Sequence, residues 1–148
     1  MRRLIFIVLI TMSTEVFAQK NLIDGELSLS TGAIAVNYEG FIINHFSLGA
    51  KLGLATIGAK ANYYFKKLSK DQWNGHVGLG YELTFAWPET AFIYGPTFII
   101  GGEHISSRGF LIGLEGGVMS ATYGDNATYG DHGKPIYPMI NFKIGKLF

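Results

Sequence analysis

Few residues of this chain could do covalent chemistry. His104, Ile105 and Ser106, with Glu115 further along, supply the residue types of a serine hydrolase: a base, a nucleophile and an acid to orient the base. Spacing alone does not assemble them, and a polar turn that holds a His and a Ser accounts for the same residues. His45, His76 and His132 have no partner at metal-ligand spacing, and there is no cysteine, so thiolate metal sites and disulfides are excluded. Gly113, Gly116 and Gly117 lead into no helix and form no phosphate loop. No catalytic, cofactor-binding or metal residue is therefore assigned, and no cofactor is expected.

A direct repeat, ATYGD at 121–125 and again at 127–131, is the second candidate. Asp125, Asn126 and Asp131 offer oxygens to a calcium ion but lack the dense acidic loop of a dedicated site. A duplicated spacer explains the repeat. A surface-contacting loop through Tyr123, Asp125, Tyr129 and Asp131 is its functional alternative, with an unknown partner.

The third set is electrostatic. Glu26, Glu39, Lys51, Lys60, Glu82, Glu103, Glu115 and Lys143 fall on the face of alternating segments opposite the large apolar residues, among Gly, Ala, Ser, Thr and Asn. Such a face, sparse in charge and small in volume, suits a narrow closed interior better than a solvated surface. Charges enclosed there must pair. The expected network is Glu39, Lys51, Lys60, Glu82, Glu115 and Lys143, with Glu39–Lys51 on consecutive strands as the leading pair. It predicts a plugged barrel. A proton or ion path is the functional alternative.

The segments that position these residues read as about eight strands: residues 23–30, 33–43, 46–56, 57–66, 76–87, 92–103, 109–120 and 136–148. The fifth alternates strictly, with Val77, Leu79, Tyr81, Leu83, Phe85 and Trp87 against His76, Gly78, Gly80, Glu82, Thr84 and Ala86. In the second, Ile34, Val36, Tyr38 and Ile42 oppose Ala35, Asn37 and Glu39. In the last, Phe142 and Ile144 oppose Asn141 and Lys143, and Phe148 ends the run. Phe46, Phe65, Trp73, Phe110 and Phe148 gather at one end of the strands, and Phe85, Trp87, Phe92 and Tyr137 at the other, as two aromatic girdles would.

The first 18 residues have the parts of a secretory signal: Arg2 and Arg3, an apolar core at 4–12, and Val16-Phe17-Ala18 before a cut. Cleavage after Ala18 is expected, leaving one domain over 19–148. Removing Arg2, Arg3 and Glu15 leaves ten basic and ten acidic residues of the original 12 and 11, a balance with no footprint for nucleic acid. Mean hydropathy is +0.23 and 48% of residues are hydrophobic, yet no run beyond the signal is long enough for a spanning helix. Lipid then admits one other solution, a closed barrel. The expected fold is an all-β antiparallel up-and-down transmembrane β-barrel, with both termini in the periplasm and the longest connection outside.

The segments AIAVNYEG, FSLGAKLGLA, ANYYF, HVGLGYELTF and INFKIGKLF resemble the small outer-membrane β-barrel proteins of Bacteroidota, similar in architecture to the eight-stranded OmpA and OmpX barrels. The resemblance implies an outer-membrane location and no particular activity; the role expected of the chain is structural or surface-interaction, without catalysis. Outer-membrane lipid and the barrel-assembly machinery are the implied partners, the latter reading Phe148, Ile144 and Phe142 as a C-terminal signal. His104-x-Ser106 also resembles the His-x-Ser pairing of outer-membrane lipid A deacylases. The expected topology instead puts both residues in a periplasmic turn and Glu115 inside. The alternatives are that lipid A-modifying hydrolase, a narrow porin, and a soluble exported barrel that binds a ligand.

Overall fold

The computed structural model describes residues 20–30, 32–86, 91–123 and 136–148. Residues 1–18, Trp87, Asp125, Tyr129 and Asp131 lie outside them. The strands are β1 (Asn21–Ser28), β2 (Ile34–Ile43), β3 (Phe46–Gly53), β4 (Thr56–Tyr64), β5 (Gln72–Ala86), β6 (Ala91–Ile105), β7 (Phe110–Ser120), β8 (Thr122–Tyr123) and β9 (Ile136–Leu147). Every pairing is antiparallel. Neighbours in sequence pair from β1 to β7, β9 pairs with both β7 and β1, and the β5–β6 ladder completes the circle. Eight strands thus make a closed wall with no free edge.

The two-residue β8 prolongs β7. Thr97↔Met119 and Tyr94↔Thr122 keep one register on β6, and the ladder lapses between them. The lapse falls at Gly95-Pro96. Pro96 has no N–H to contribute, which is why proline interrupts a ladder.

The strands are staggered. The paired residues Leu22, Glu39, Gly49, Lys60, Gly80, Thr97, Met119 and Tyr137 run once round the wall. Continued in the β9–β1 register, the line meets position 32, which is 32 minus 22, or ten residues, beyond its start. Closure of this kind tilts the strands by roughly 35–45° and leaves a bore that side chains can fill.

The period-two pattern decides what fills it. Val36, Leu48, Ile57, Leu79, Phe98, Leu114 and Ile140 all point out and are exposed, Leu79 at 65%. Asn37, Glu39, Ser47, Asn62, His76, Glu103, Glu115 and Lys143 point in and are buried. This polarity is the reverse of a soluble protein's. One departure from the simple alternation lies in β2. A register shift between Phe41 and Ile43 turns Ile43 outward and leaves Ile42 only half-buried.

Apolar clusters sit at both ends of the bore. At the end holding residues 20 and 148, Leu22, Phe41, Tyr64, Leu68, Ile105, Leu111 and Leu147 pack together. Leu68 comes from the β4–β5 connection, not from a strand. The Asn74 side chain donates to the Ser69 carbonyl at 2.9 Å and accepts from the Ser69 amide at 3.0 Å. Lys20 Nζ donates to the Leu68 carbonyl at 3.0 Å. These bonds fold the turn so that Leu68 faces inward. At the opposite end, Ile93, Met119, Ala121 and Met139 cluster, with Tyr137 against them.

Candidate functional site

Between the two apolar clusters lies a column of ionised and polar groups. Alternation delivers at least one from every long strand, and a narrow wall brings opposite strands within side-chain reach. Near the end that carries the β1–β2 and β3–β4 connections, Lys51 Nζ lies 2.5 Å from Glu26 Oε1 and 2.8 Å from Glu82 Oε2. Thr56 Oγ1 donates to the other Glu82 oxygen at 2.9 Å. Asn37 Nδ2 bridges downward, donating at 2.8 Å to both Glu26 and Asp24.

The lower group centres on Lys143, which is fully buried. Its Nζ is 3.2 Å from Glu103 Oε2, 3.2 Å from Glu115 Oε1 and 3.6 Å from Asp24 Oδ2. Glu115 Oε1 also takes Lys60 Nζ at 3.1 Å and His76 Nε2 at 3.0 Å. Tyr64 OH lies 2.8 Å from Glu39 Oε1 and 3.0 Å from Glu103 Oε1, and Ser47 Oγ donates to Glu39 at 2.5 Å. Gly101 makes room for this group. A Cβ there would come within 2.9 Å of the His76 ring and 2.7 Å of Glu115 Cγ.

The six carboxylates Asp24, Glu26, Glu39, Glu82, Glu103 and Glu115 therefore face three ammonium groups. Each lysine serves two or more acceptors or shares one, the condition for tolerating charge away from water. A cavity of about 20 Å³ beside Lys60, Glu115 and Asn141 is room for about one water molecule. The arrangement can hold strands together and fill the bore.

The anticipated Glu39–Lys51 pair does not form. Across the β2–β3 ladder Lys51 faces Asn37 and Glu39 faces Gly49. The two charges are thus offset along the strand, and the lysine extends away from Glu39 to Glu26 and Glu82. Sequence reasoning also passed over Asp24 and His76. Asp24 lies two residues before Glu26 on the same face of β1, so period-two counting alone could have found it.

The hydrolase residues do not converge. Ser106 Oγ accepts the Phe110 amide at 3.0 Å in the β6–β7 turn. The His104 ring lies edge-on to Trp73 at 5.7 Å, on the outer side of the β5–β6 pair. Glu115 is held inside by Lys60, His76 and Lys143. His45 Nδ1 contacts the Tyr64 carbonyl at 2.9 Å. Among the described residues no group of three or more His, Asp or Glu side chains is placed to hold a metal ion. Of the repeat, Ala121 and the β8 pair Thr122–Tyr123 are described, and 124–131 are not.

Phe142 and Ile144 are exposed on the outer face of β9, opposite Leu27 and Gly25 of β1. Phe148 extends the same closing seam: its amide donates to the Asn21 carbonyl at 2.8 Å and its carbonyl accepts from the Asn21 amide at 3.3 Å. Lys146 Nζ stands 5.4 Å from the centre of the Phe148 ring.

Comparison with solved structures gives a likeness to the N-terminal β-barrel domain of Pseudomonas aeruginosa OprF. The TM-score is 0.56 at 12% identity, over 87% of this chain and 96% of that one. At that identity the likeness speaks to the fold, an eight-stranded closed antiparallel barrel. No family model and no curated protein matches the sequence.

Proposed function

We propose that this protein is an outer-membrane β-barrel with a structural or surface-interaction role, its lumen closed by its own ion pairs and its apolar end clusters. One observation carries the reading: a closed wall that turns large apolar side chains outward on every long strand and encloses all its described charges but those at the end holding residues 20 and 148. In water such a surface would be an extended apolar patch. In a bilayer it is the required exterior. A soluble ligand-binding barrel would place its apolar residues inside, and the OprF-like fold supports the membrane alternative. On this reading residues 1–18 direct export and are removed after Ala18, and the repeat loop faces the cell exterior. The closing strand, through Phe142, Ile144 and Phe148, is what the assembly machinery receives.

Fractionation tests the proposal. The protein should remain in the membrane pellet after carbonate washing and need detergent for release. It should also migrate differently on a gel when boiled and unboiled. Recovery from the soluble periplasm without detergent would rule the proposal out.

A further inference from the structure

Outside the lumen, charge is distributed unevenly over the wall. Among the described residues every outward charge lies at the end holding residues 20 and 148, and six of them are cations: Lys20, Lys66, Lys67, Lys70, Arg108 and Lys146, all exposed. Asp71 is the one exposed acid there, and none of the six cations is in an ion pair among the described residues. The cations border the apolar belt directly. Lys66 and Lys67 follow exposed Phe65, Trp73 follows Lys70 and Asp71, and Lys146 covers the Phe148 ring. Within this rim a groove of about 420 Å³ is lined by Lys20 and Lys67 together with Phe41, Ile43 and Leu68. That volume suits a small ligand or the head of a lipid.

We infer that the rim binds anionic phospholipid of the periplasmic leaflet, with Lys20 and Lys67 taking the phosphate in the groove and Ile43 and the outer belt taking the chain. The inference rests on the outer-membrane reading above. Two features select lipid over an acidic protein partner. The order of groups along the wall, cation and then aromatic and then aliphatic, repeats the order of phosphate, glycerol and acyl chain. The groove is also half apolar, which a purely charge-matched partner would not need. Flexible lysines suit this work, because each ammonium reaches the phosphate plane while its stem stays on apolar surface.

Trp73 opens β5 directly after the lysine-rich turn and reports on the lipid beside it. The test uses the barrel carrying Trp87→Phe, so that Trp73 is the sole tryptophan, in phosphatidylcholine vesicles. Part of the lipid is replaced by brominated phosphatidylglycerol or by brominated phosphatidylcholine. The anionic quencher should act as though bound about threefold more tightly, and Lys20→Gln with Lys67→Gln should bring the ratio close to unity. Heat-modifiable migration confirms that each variant has inserted. Equal quenching by the two lipids in an inserted barrel overturns this inference alone. So does a preference that survives both substitutions, or one abolished by millimolar glycerol phosphate, which would mark a site for small anions. A chain that stays in solution overturns the outer-membrane reading as well.

Discussion

Lys51 and Glu26 meet at 2.5 Å although their strands, β3 and β1, do not pair; β2 stands between them. The contact passes over β2 on the inner side of the wall. Glu82, 2.8 Å away on β5, reaches the same ammonium from the other side. Removing the cation would leave two buried carboxylates without their partner.

Lys51→Met should therefore destabilise the barrel by about 3–5 kcal/mol, the usual penalty for breaking a buried pair. Urea unfolding in lipid vesicles measures it. A double-mutant cycle with Glu26→Gln should show coupling of about 1–3 kcal/mol, whereas the cycle with Glu39→Gln should be additive within about 0.5 kcal/mol. Strong coupling to Glu39 would contradict the β2–β3 register, in which Lys51 faces Asn37.

Leu79 sits halfway along β5 on the outer face. Leu79→Arg should cost about 2–4 kcal/mol in a bilayer, the penalty for a cation at the hydrocarbon midplane. On a wall facing water, the same change should lie within about 0.5 kcal/mol. Unfolding midpoints in vesicles of increasing chain length would separate the two, because only a lipid-facing site grows more sensitive with thickness.

Leu68 is the turn residue that caps the bore. Leu68→Ala should cost about 2–5 kcal/mol as a truncation inside a packed cluster. The parent barrel should be electrically silent in a planar bilayer. Steady conductance from it would show that the apolar ends and the ion pairs leave a continuous water path.

Deleting Phe148 removes two backbone hydrogen bonds to Asn21 and the ring beneath Lys146. The fraction of heat-modifiable barrel in the membrane should fall severalfold, while Phe148→Tyr should assemble normally. Unchanged assembly of the deletion would remove Phe148 from the role of closing signal.

Much of this architecture was legible because a barrel wall is nearly pure alternation. β5 reads out residue by residue from Val77 to Phe85, since every outward residue is large and every inward one small or polar. β6 was harder. Ile93, Ile99 and Ile105 point inward yet are as apolar as Phe98 and Ile100: Ile93 and Ile105 build the end clusters, and Ile99 lines the small cavity beside Lys60 and Glu115. Leu68 was hidden for a different reason. Its neighbours Lys66, Lys67, Ser69 and Lys70 describe a solvated turn, and only the Asn74 and Lys20 bonds to that turn reveal that one residue of it faces the bore. Pairing was the least legible level. Face assignment follows from parity, whereas Glu39 or Glu26 as the mate of Lys51 depends on strand stagger, which no single strand encodes.

The ion pairs are spokes, and the hydrogen-bonded ladders are the rim. Neighbouring strands can join their ladders one hairpin at a time, but Lys51 to Glu26, Lys60 to Glu115 and Lys143 to Glu103 each tie strands that are not neighbours. A spoke reaches its full contact as the wall curves and the rim closes. We expect these contacts to be largely absent from the folding transition state. Weakening them should leave the rate of membrane insertion nearly unchanged and appear almost entirely as faster unfolding. The charged column would then set how long an assembled barrel lasts, and the hairpins and the closing strand how quickly it forms.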